Sequence, residues 1–134
     1  MALQWKDNLA TGVSTIDSQH KELFNYINNL LDAMSKGKGE QEISKTISFL
    51  QKYTTTHFGN EERYMNQHKY PDYKTHKSYH DTYKKDFDNL RKKIQSQGVG
   101  TAITLEVQGF LYKWWMNHIN NVDKKLGAFL KDKI

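Results

Sequence analysis

The chain has 134 residues, which is enough for one compact domain and too few for two of ordinary size. It contains no cysteine, so disulfides, thiolate metal sites and iron–sulfur clusters are excluded, and any bound metal must use nitrogen or oxygen ligands. The net charge is +5, but only two of the 20 basic residues are arginines and no nucleic-acid-binding motif accompanies them, so nucleic acid is not an expected partner. The sequence has no apolar run that could span a bilayer and no signal peptide, so we expect a cytoplasmic protein without membrane insertion.

Apolar residues recur at intervals of three and four along most of the chain, a pattern typical of amphipathic helices. After an N-terminal arm over residues 1–16, Asp17-Ser18 offers an N-cap and Gly37 a stop for the first helix. Pro71 suits the first turn of the third helix, which Gly98 ends. The predicted helices cover approximately residues 18–36, 41–65, 72–96 and 102–131.

Short loops between long helices favour antiparallel neighbours. The sequence therefore predicts an all-α fold, an up-down-up-down antiparallel four-helix bundle with an N-terminal arm. No linker or internal repeat divides the chain, so residues 1–134 are expected to form a single domain.

Each predicted helix carries polar groups on the face that should be buried. They are His20 on the first helix, His57 and Glu61 on the second, His76 and His80 on the third, and His118 on the fourth. Two pairs are spaced at i and i+4, which places two side chains on one helical face. In an up-down-up-down bundle all six positions fall at one level, so the pattern predicts a shared polar layer.

Asp123 does not share the face of His118 in a regular α-helix, because five residues after His118 such a helix has turned by about 140°. Asp123 either reaches a two-metal site from the side or is a surface charge beside Lys124. Five imidazoles with two carboxylates exceed the four ligands of a structural zinc and suit a pair of iron ions, although copper and manganese also accept such ligands. A bundle without metal would leave these buried groups unexplained.

The chain resembles the hemerythrin family, specifically the single-domain bacterial hemerythrins. The matching segments span nearly the whole chain, and they are Gly12-Val13, Ile16 to Lys21, His57-Phe58, Glu61-Glu62, Tyr70-Pro71, His76, His80, Trp114, His118-Ile119 and Asp123 to Gly127. The histidines and carboxylates follow the family pattern in order and in spacing.

The resemblance implies a non-haem centre of two iron ions with oxo or hydroxo and carboxylate bridges. One iron would be held by His76, His80 and His118 and the other by His20 and His57, with Glu61 and Asp123 bridging. The second iron would keep an open position at which O₂ binds reversibly, and no catalytic residue is implied.

The resemblance also places Phe58, Trp114 and Ile119 in the ligand pocket. Trp115 departs from the family pattern, which usually has leucine at this position. An indole here would fill or gate the pocket, or else turn towards a neighbouring helix and only pack.

Reversible O₂ binding for storage, delivery or local sensing is the leading functional hypothesis, with no catalytic turnover. The alternative is a di-iron redox enzyme with a Trp115-modified pocket, acting as a peroxidase, an oxidase or a scavenger of nitric oxide. A sensor would need a separate protein partner, because no output domain is expected in 134 residues.

Overall fold

Four helical rods make up the part of the chain that the computed structural model describes, residues 3–134. The elements in chain order are a 3₁₀ turn at Asp7–Leu9, α1 at Ser14–Ser35, α2 at Glu40–Gln67, α3 at Tyr73–Gln97, α4 at Thr101–His118, a π-helical turn at Ile119–Asp123, and α5 at Lys124–Leu130. The segment from α4 through the π turn to α5 forms the fourth rod.

Each rod packs against its neighbours in sequence, and α4 also packs against α1, which closes the bundle. The predicted up-down-up-down four-helix bundle is confirmed. Gly37 and Gly98 lie at the ends of α1 and α3 with φ of +64° and +78°, a backbone conformation that glycine adopts without the steric cost of a Cβ. None of the helices within residues 3–134 is long and apolar enough to cross a membrane.

The arm is shorter than predicted, because α1 begins at Ser14 and not at residue 18. The predicted N-cap at Asp17-Ser18 is wrong, since both residues lie inside the helix. The Asp17 carboxylate instead accepts hydrogen bonds from the backbone N–H and the hydroxyl of Thr11, both at 2.8 Å. It thereby ties the arm back to α1. The first two residues of the predicted arm lie outside the described residues.

The start of the third helix also differs from the prediction. Pro71 lies in the turn that precedes α3, and Asp72 occupies the N-cap position of a helix that begins at Tyr73. The fixed φ of proline is equally compatible with a turn, so Pro71 alone does not define the first helical residue.

Two apolar clusters occupy successive levels of the bundle. The larger one fills the body of the bundle and includes Leu23, Phe58 and Trp115. The smaller one contains Val13, Ile16, Met65, Tyr70, Leu126 and Leu130. Along α1, His20 lies between Ile16 of the smaller cluster and Leu23 of the larger, and along α2, Glu61 lies between Phe58 and Met65. The polar layer is therefore enclosed by apolar side chains on both sides.

Candidate metal centre

Seven polar side chains meet in this layer, and every one is buried. They are His20, His57, Glu61, His76, His80, His118 and Asp123, and none is more than 2% exposed. The spacing of the sequence predicts this placement for six of them and leaves it open for Asp123. The structure thus brings together all seven residues that the sequence singled out.

Asp123 reaches the layer because the helix is locally widened. The five residues Ile119–Asp123 form a π-helical turn, in which hydrogen bonds join residues five apart in place of four. Asp123 therefore comes round to the same side as His118, and its Oδ1 lies 3.1 Å from His118 Nε2. In a regular α-helix Asp123 would point away from His118, and for this reason its sequence position alone is compatible with two interpretations.

The ligand-type atoms of the layer form two overlapping groups. Within each group, one ligand-type atom per residue lies within 4.8 Å of the corresponding atoms of the other members. The first group consists of Glu61, His76, His80, His118 and Asp123. The second consists of His20, His57, Glu61 and Asp123. Metal–ligand bonds of about 2.1 Å place opposite ligands about 4.2 Å apart, so each group has the dimensions of a metal site. Glu61 and Asp123 belong to both groups and therefore lie between them.

The hydrogen-bonding state of these atoms tests whether a metal fits. Eleven buried nitrogen and oxygen atoms of the seven side chains have no hydrogen-bond partner within the described part of the chain. His20 Nε2 and His57 Nε2 approach carboxylate oxygens at 2.9 and 3.2 Å, but without hydrogen-bond geometry. Unpaired buried polar groups cost about 1–3 kcal/mol each, so the layer is unfavourable unless another group satisfies these atoms. Metal ions would do so, because every unpaired side chain offers a nitrogen or carboxylate donor.

Protonation in the metal-free layer is set by the mutual contacts of these groups. Burial raises the pKa of Glu61 and Asp123, but the surrounding imidazoles hold both values well below the usual carboxyl range. Burial lowers the pKa of His57 and His118 below the ordinary value. The two carboxyl groups are therefore ionised and the imidazoles of His57 and His118 are neutral, which are the protonation states that a metal ligand requires.

His76 behaves differently, because two carboxylates contact it. Burial alone would lower its pKa, but contact with Asp123 and Glu61 raises the pKa of His76 to about 9. Burial is likewise outweighed at His20, where Asp123 and Glu61 raise the pKa, and at His80, where Glu61 and Glu62 raise it. Metal binding to the layer must therefore displace protons from imidazoles.

Two residues outside the predicted ligand set form hydrogen bonds with the outer nitrogens of His57 and His80. His80 Nδ1 donates to the Glu62 carboxylate at 2.9 Å, and His57 Nδ1 donates to the Gln19 amide oxygen at 2.7 Å. The contact with His80 also lowers the pKa of Glu62. Each residue directly adjoins a candidate ligand in sequence, and this adjacency is the signal that could have found them.

Aromatic side chains enclose the histidines on the side of the larger apolar cluster. Phe58 stacks on His80 with ring centres 3.8 Å apart, and Trp114 stacks on His118 at 4.3 Å. Phe58 and Ile119 are fully buried, whereas Trp114 is half-buried. Of the four predicted pocket residues, Phe58 and Trp114 therefore contact the polar layer, while Ile119 is buried directly after His118 in the chain.

The fourth of them, Trp115, is fully buried and faces the layer. Its ring centre lies 6.4 Å from that of His20 and 6.2 Å from that of His57. The indole Nε1 donates to the hydroxyl of buried Tyr83 at 3.3 Å. The indole ring centre also lies 6.4 Å from that of His118, so Trp115 packs in the core and lies beside His20, His57 and His118 together.

Known proteins with similar sequences belong to a family of cation-binding domains, which agrees with a metal site in this layer. The family model described as the hemerythrin HHE cation binding domain matches residues 11–130. The chain is 36% identical over 121 residues to a bacteriohemerythrin of Pseudomonas aeruginosa (strain LESB58), covering 90% of this chain and 76% of that protein. For a bacteriohemerythrin of Methylococcus capsulatus (strain Bath) the identity is 35%, covering 90% of this chain and 89% of that protein.

A solved structure shows the same likeness in three dimensions. The crystal structure of a wild-type hemerythrin matches with a TM-score of 0.86 and 31% identity, covering 98% of this chain and 99% of that one. Its overall path therefore agrees with that of this chain over almost its full length. The chain belongs to the hemerythrin family.

Proposed function

We propose that the polar layer holds two iron ions. His76, His80 and His118 would hold one ion and His20 and His57 the other, and Glu61 and Asp123, which belong to both donor groups, would serve both ions. The division follows the two overlapping groups of donor atoms. Imidazole and carboxylate donors also suit copper and manganese, and membership of the hemerythrin family supports iron.

The proposed activity is reversible O₂ binding. The iron pair would supply the electrons and the coordination position for O₂. The observation that carries this proposal is the unequal size of the two donor groups, since the group with His20 and His57 offers one donor fewer. An incomplete donor set is what keeps a metal position open to a ligand.

The chain itself contributes exclusion of water. Phe58 and Trp115 are fully buried and lie against the layer with apolar surface, and Ile119, next to His118 in the chain, is fully buried as well. A water-free pocket protects a bound ligand from proton leakage and hydrolysis. We therefore infer a role in O₂ storage, delivery or sensing, with no side chain acting as a catalytic residue.

The experiment that tests this activity is a gas cycle on anaerobically prepared iron-loaded protein. Visible absorption is recorded under argon, after exposure to air, and after renewed purging with argon. An absorption band that appears in air and disappears on purging is the expected result. A band that forms in air and survives purging would show irreversible oxidation and contradict the proposal.

A second function, a di-iron redox enzyme, is favoured by one specific observation. The Trp115 indole occupies the space beside His20 and His57, which restricts the pocket to small ligands, and nitric oxide is as small as O₂. Repeated consumption of hydrogen peroxide or nitric oxide by the iron-loaded protein, with an electron donor present, would support the enzyme. Consumption limited to one equivalent per centre would support the carrier.

A further inference from the structure

The two donor groups differ in the residues that accept hydrogen bonds from the outer nitrogens of their histidines. His80 belongs to the group with three imidazoles, and its Nδ1 donates to the carboxylate of Glu62 at 2.9 Å. His57 belongs to the group with two imidazoles, and its Nδ1 donates to the neutral amide of Gln19 at 2.7 Å. The two hydrogen bonds are similar in length, but only one of the acceptors carries a charge.

This difference affects how strongly each histidine binds a metal. A carboxylate that accepts the outer N–H of an imidazole increases the basicity of the inner nitrogen, whereas a neutral amide does so less. The Glu62 side chain is 19% exposed and that of His80 is fully buried, so the hydrogen bond lies at the boundary of the layer, where solvent screens it only in part. Within residues 3–134, His20 Nδ1 and His76 Nδ1 have no partner that could offset the contrast.

We infer that Glu62 and Gln19 are positioning residues that make the two metal positions unequal, so that the ion held by His76, His80 and His118 binds more tightly and leaves last. The greater number of imidazoles in that group acts in the same direction. This inference rests on the proposed two-metal site. The two ions would leave in a fixed order, and Glu62 and Gln19, which are outside the ligand set, would control that order.

Metal release from the loaded protein tests the order directly. Protein carrying two Fe²⁺ ions is mixed anaerobically with excess chromogenic Fe²⁺ chelator, and colour formation is followed with time. The wild type is expected to lose iron in two phases of equal amplitude. Protein crystallised after the first phase is expected to retain its remaining iron among His76, His80 and His118, as located by anomalous scattering.

Exchanging the two acceptors separates their role from simple folding effects. Glu62→Gln is expected to accelerate the slow phase by about 10–100-fold and to leave the fast phase unchanged. Gln19→Glu is expected to slow only the fast phase. In the double variant the two rates should approach each other. Both side chains lie at the edge of the layer, so the substitutions remain solvated.

Glu106→Gln is the matched control, because it removes the same charge from a glutamate that pairs with Lys93 at the surface. It should leave both phases unchanged. A slow phase that Glu62→Gln does not alter, or residual iron found between His20 and His57 in the wild type, would overturn the inference. A wild type that binds two ions and loses them in one phase refutes this inference alone. A wild type that never binds two ions refutes the proposed function itself.

Discussion

His118 Nε2 and Asp123 Oδ1 lie 3.1 Å apart although five residues separate them in sequence. A regular α-helix would turn the two side chains about 140° apart. The π turn at Ile119–Asp123 absorbs one extra residue and restores the shared face. Asn120 and Asn121, the middle of this turn, are both exposed, so the extra residue is accommodated on the solvent side.

Deleting Asn121 is therefore expected to preserve the centre. The deletion reduces the spacing to four residues, which places His118 and Asp123 on one face of an ordinary α-helix. Inserting an alanine after Asn121 increases the spacing to six and turns Asp123 away from the layer. Iron content after anaerobic loading measures both variants. We expect two iron ions per chain in the deletion variant and fewer in the insertion variant. A higher iron content in the insertion variant than in the deletion variant would contradict the proposed role of the π turn.

Trp115→Leu should open space beside His20 and His57. We expect a faster O₂ association rate in stopped-flow mixing, with iron still at two per chain, because the indole fills the volume next to that group. The smaller side chain also leaves a cavity and removes the hydrogen bond to Tyr83, so the free energy of unfolding should fall by about 1–3 kcal/mol.

Trp5→Leu is the control for that experiment, because Trp5 packs on Phe24 outside the polar layer. It removes an indole from the chain without changing the space beside the histidines, so its O₂ association rate should equal that of the wild type. Equal rates in all three proteins would show that Trp115 does not limit ligand entry.

Gly127→Ala should destabilise the protein through the N-terminal arm. A Cβ at Gly127 would overlap the carbonyl oxygen of Thr11 and lie 2.8 Å from the Thr11 Cβ. The arm must then move, at a cost of about 1–3 kcal/mol, seen as a lower melting temperature. Gly109→Ala provides the contrast, because its Cβ would meet nothing within 4 Å and alanine favours a helix by about 1 kcal/mol. Similar melting temperatures for the two variants would contradict the close contact.

Metal uptake should release more protons at pH 7 than at pH 10. The pKa of His76 is raised to about 9 in the metal-free layer, so this imidazole is protonated at pH 7 and must lose its proton to bind a metal. The stabilisation that its charged form gives the metal-free protein is present below pH 6.5 and is lost as the pH rises through about 9. The titration of His76 in the metal-free protein, followed by NMR of its imidazole ring protons between pH 6 and 10, measures the proton that metal uptake must displace. An imidazole that is already neutral at pH 7 would contradict the protonated state of His76.

Much of the fold follows from the sequence because helical spacing and glycine positions are local signals. The periodic apolar residues predict four helices, and the histidines at equivalent levels of those helices predict the polar layer. The start of α1 could not be predicted from the sequence, because Asp17 has the residue type of an N-cap. Its hydrogen-bond partner, Thr11, lies in the arm and reaches Asp17 only when the arm folds back onto α1.

The surroundings of the centre depend on contacts between helices, which sequence spacing does not specify. Gln19 from α1 reaches His57 from α2, and Glu62 from α2 reaches His80 from α3. The direction of Trp115 likewise depends on Tyr83 from α3. Such pairs join residues 18 to 38 positions apart, so only the packed bundle brings them together.

The most direct test of the central claim is a crystal structure of the iron-loaded protein with data collected at the iron absorption edge. Two anomalous peaks are expected in the polar layer, one among His76, His80 and His118 and the other beside His20 and His57, with Glu61 and Asp123 contacting both. A single peak, or peaks away from these seven residues, would contradict the two-iron centre.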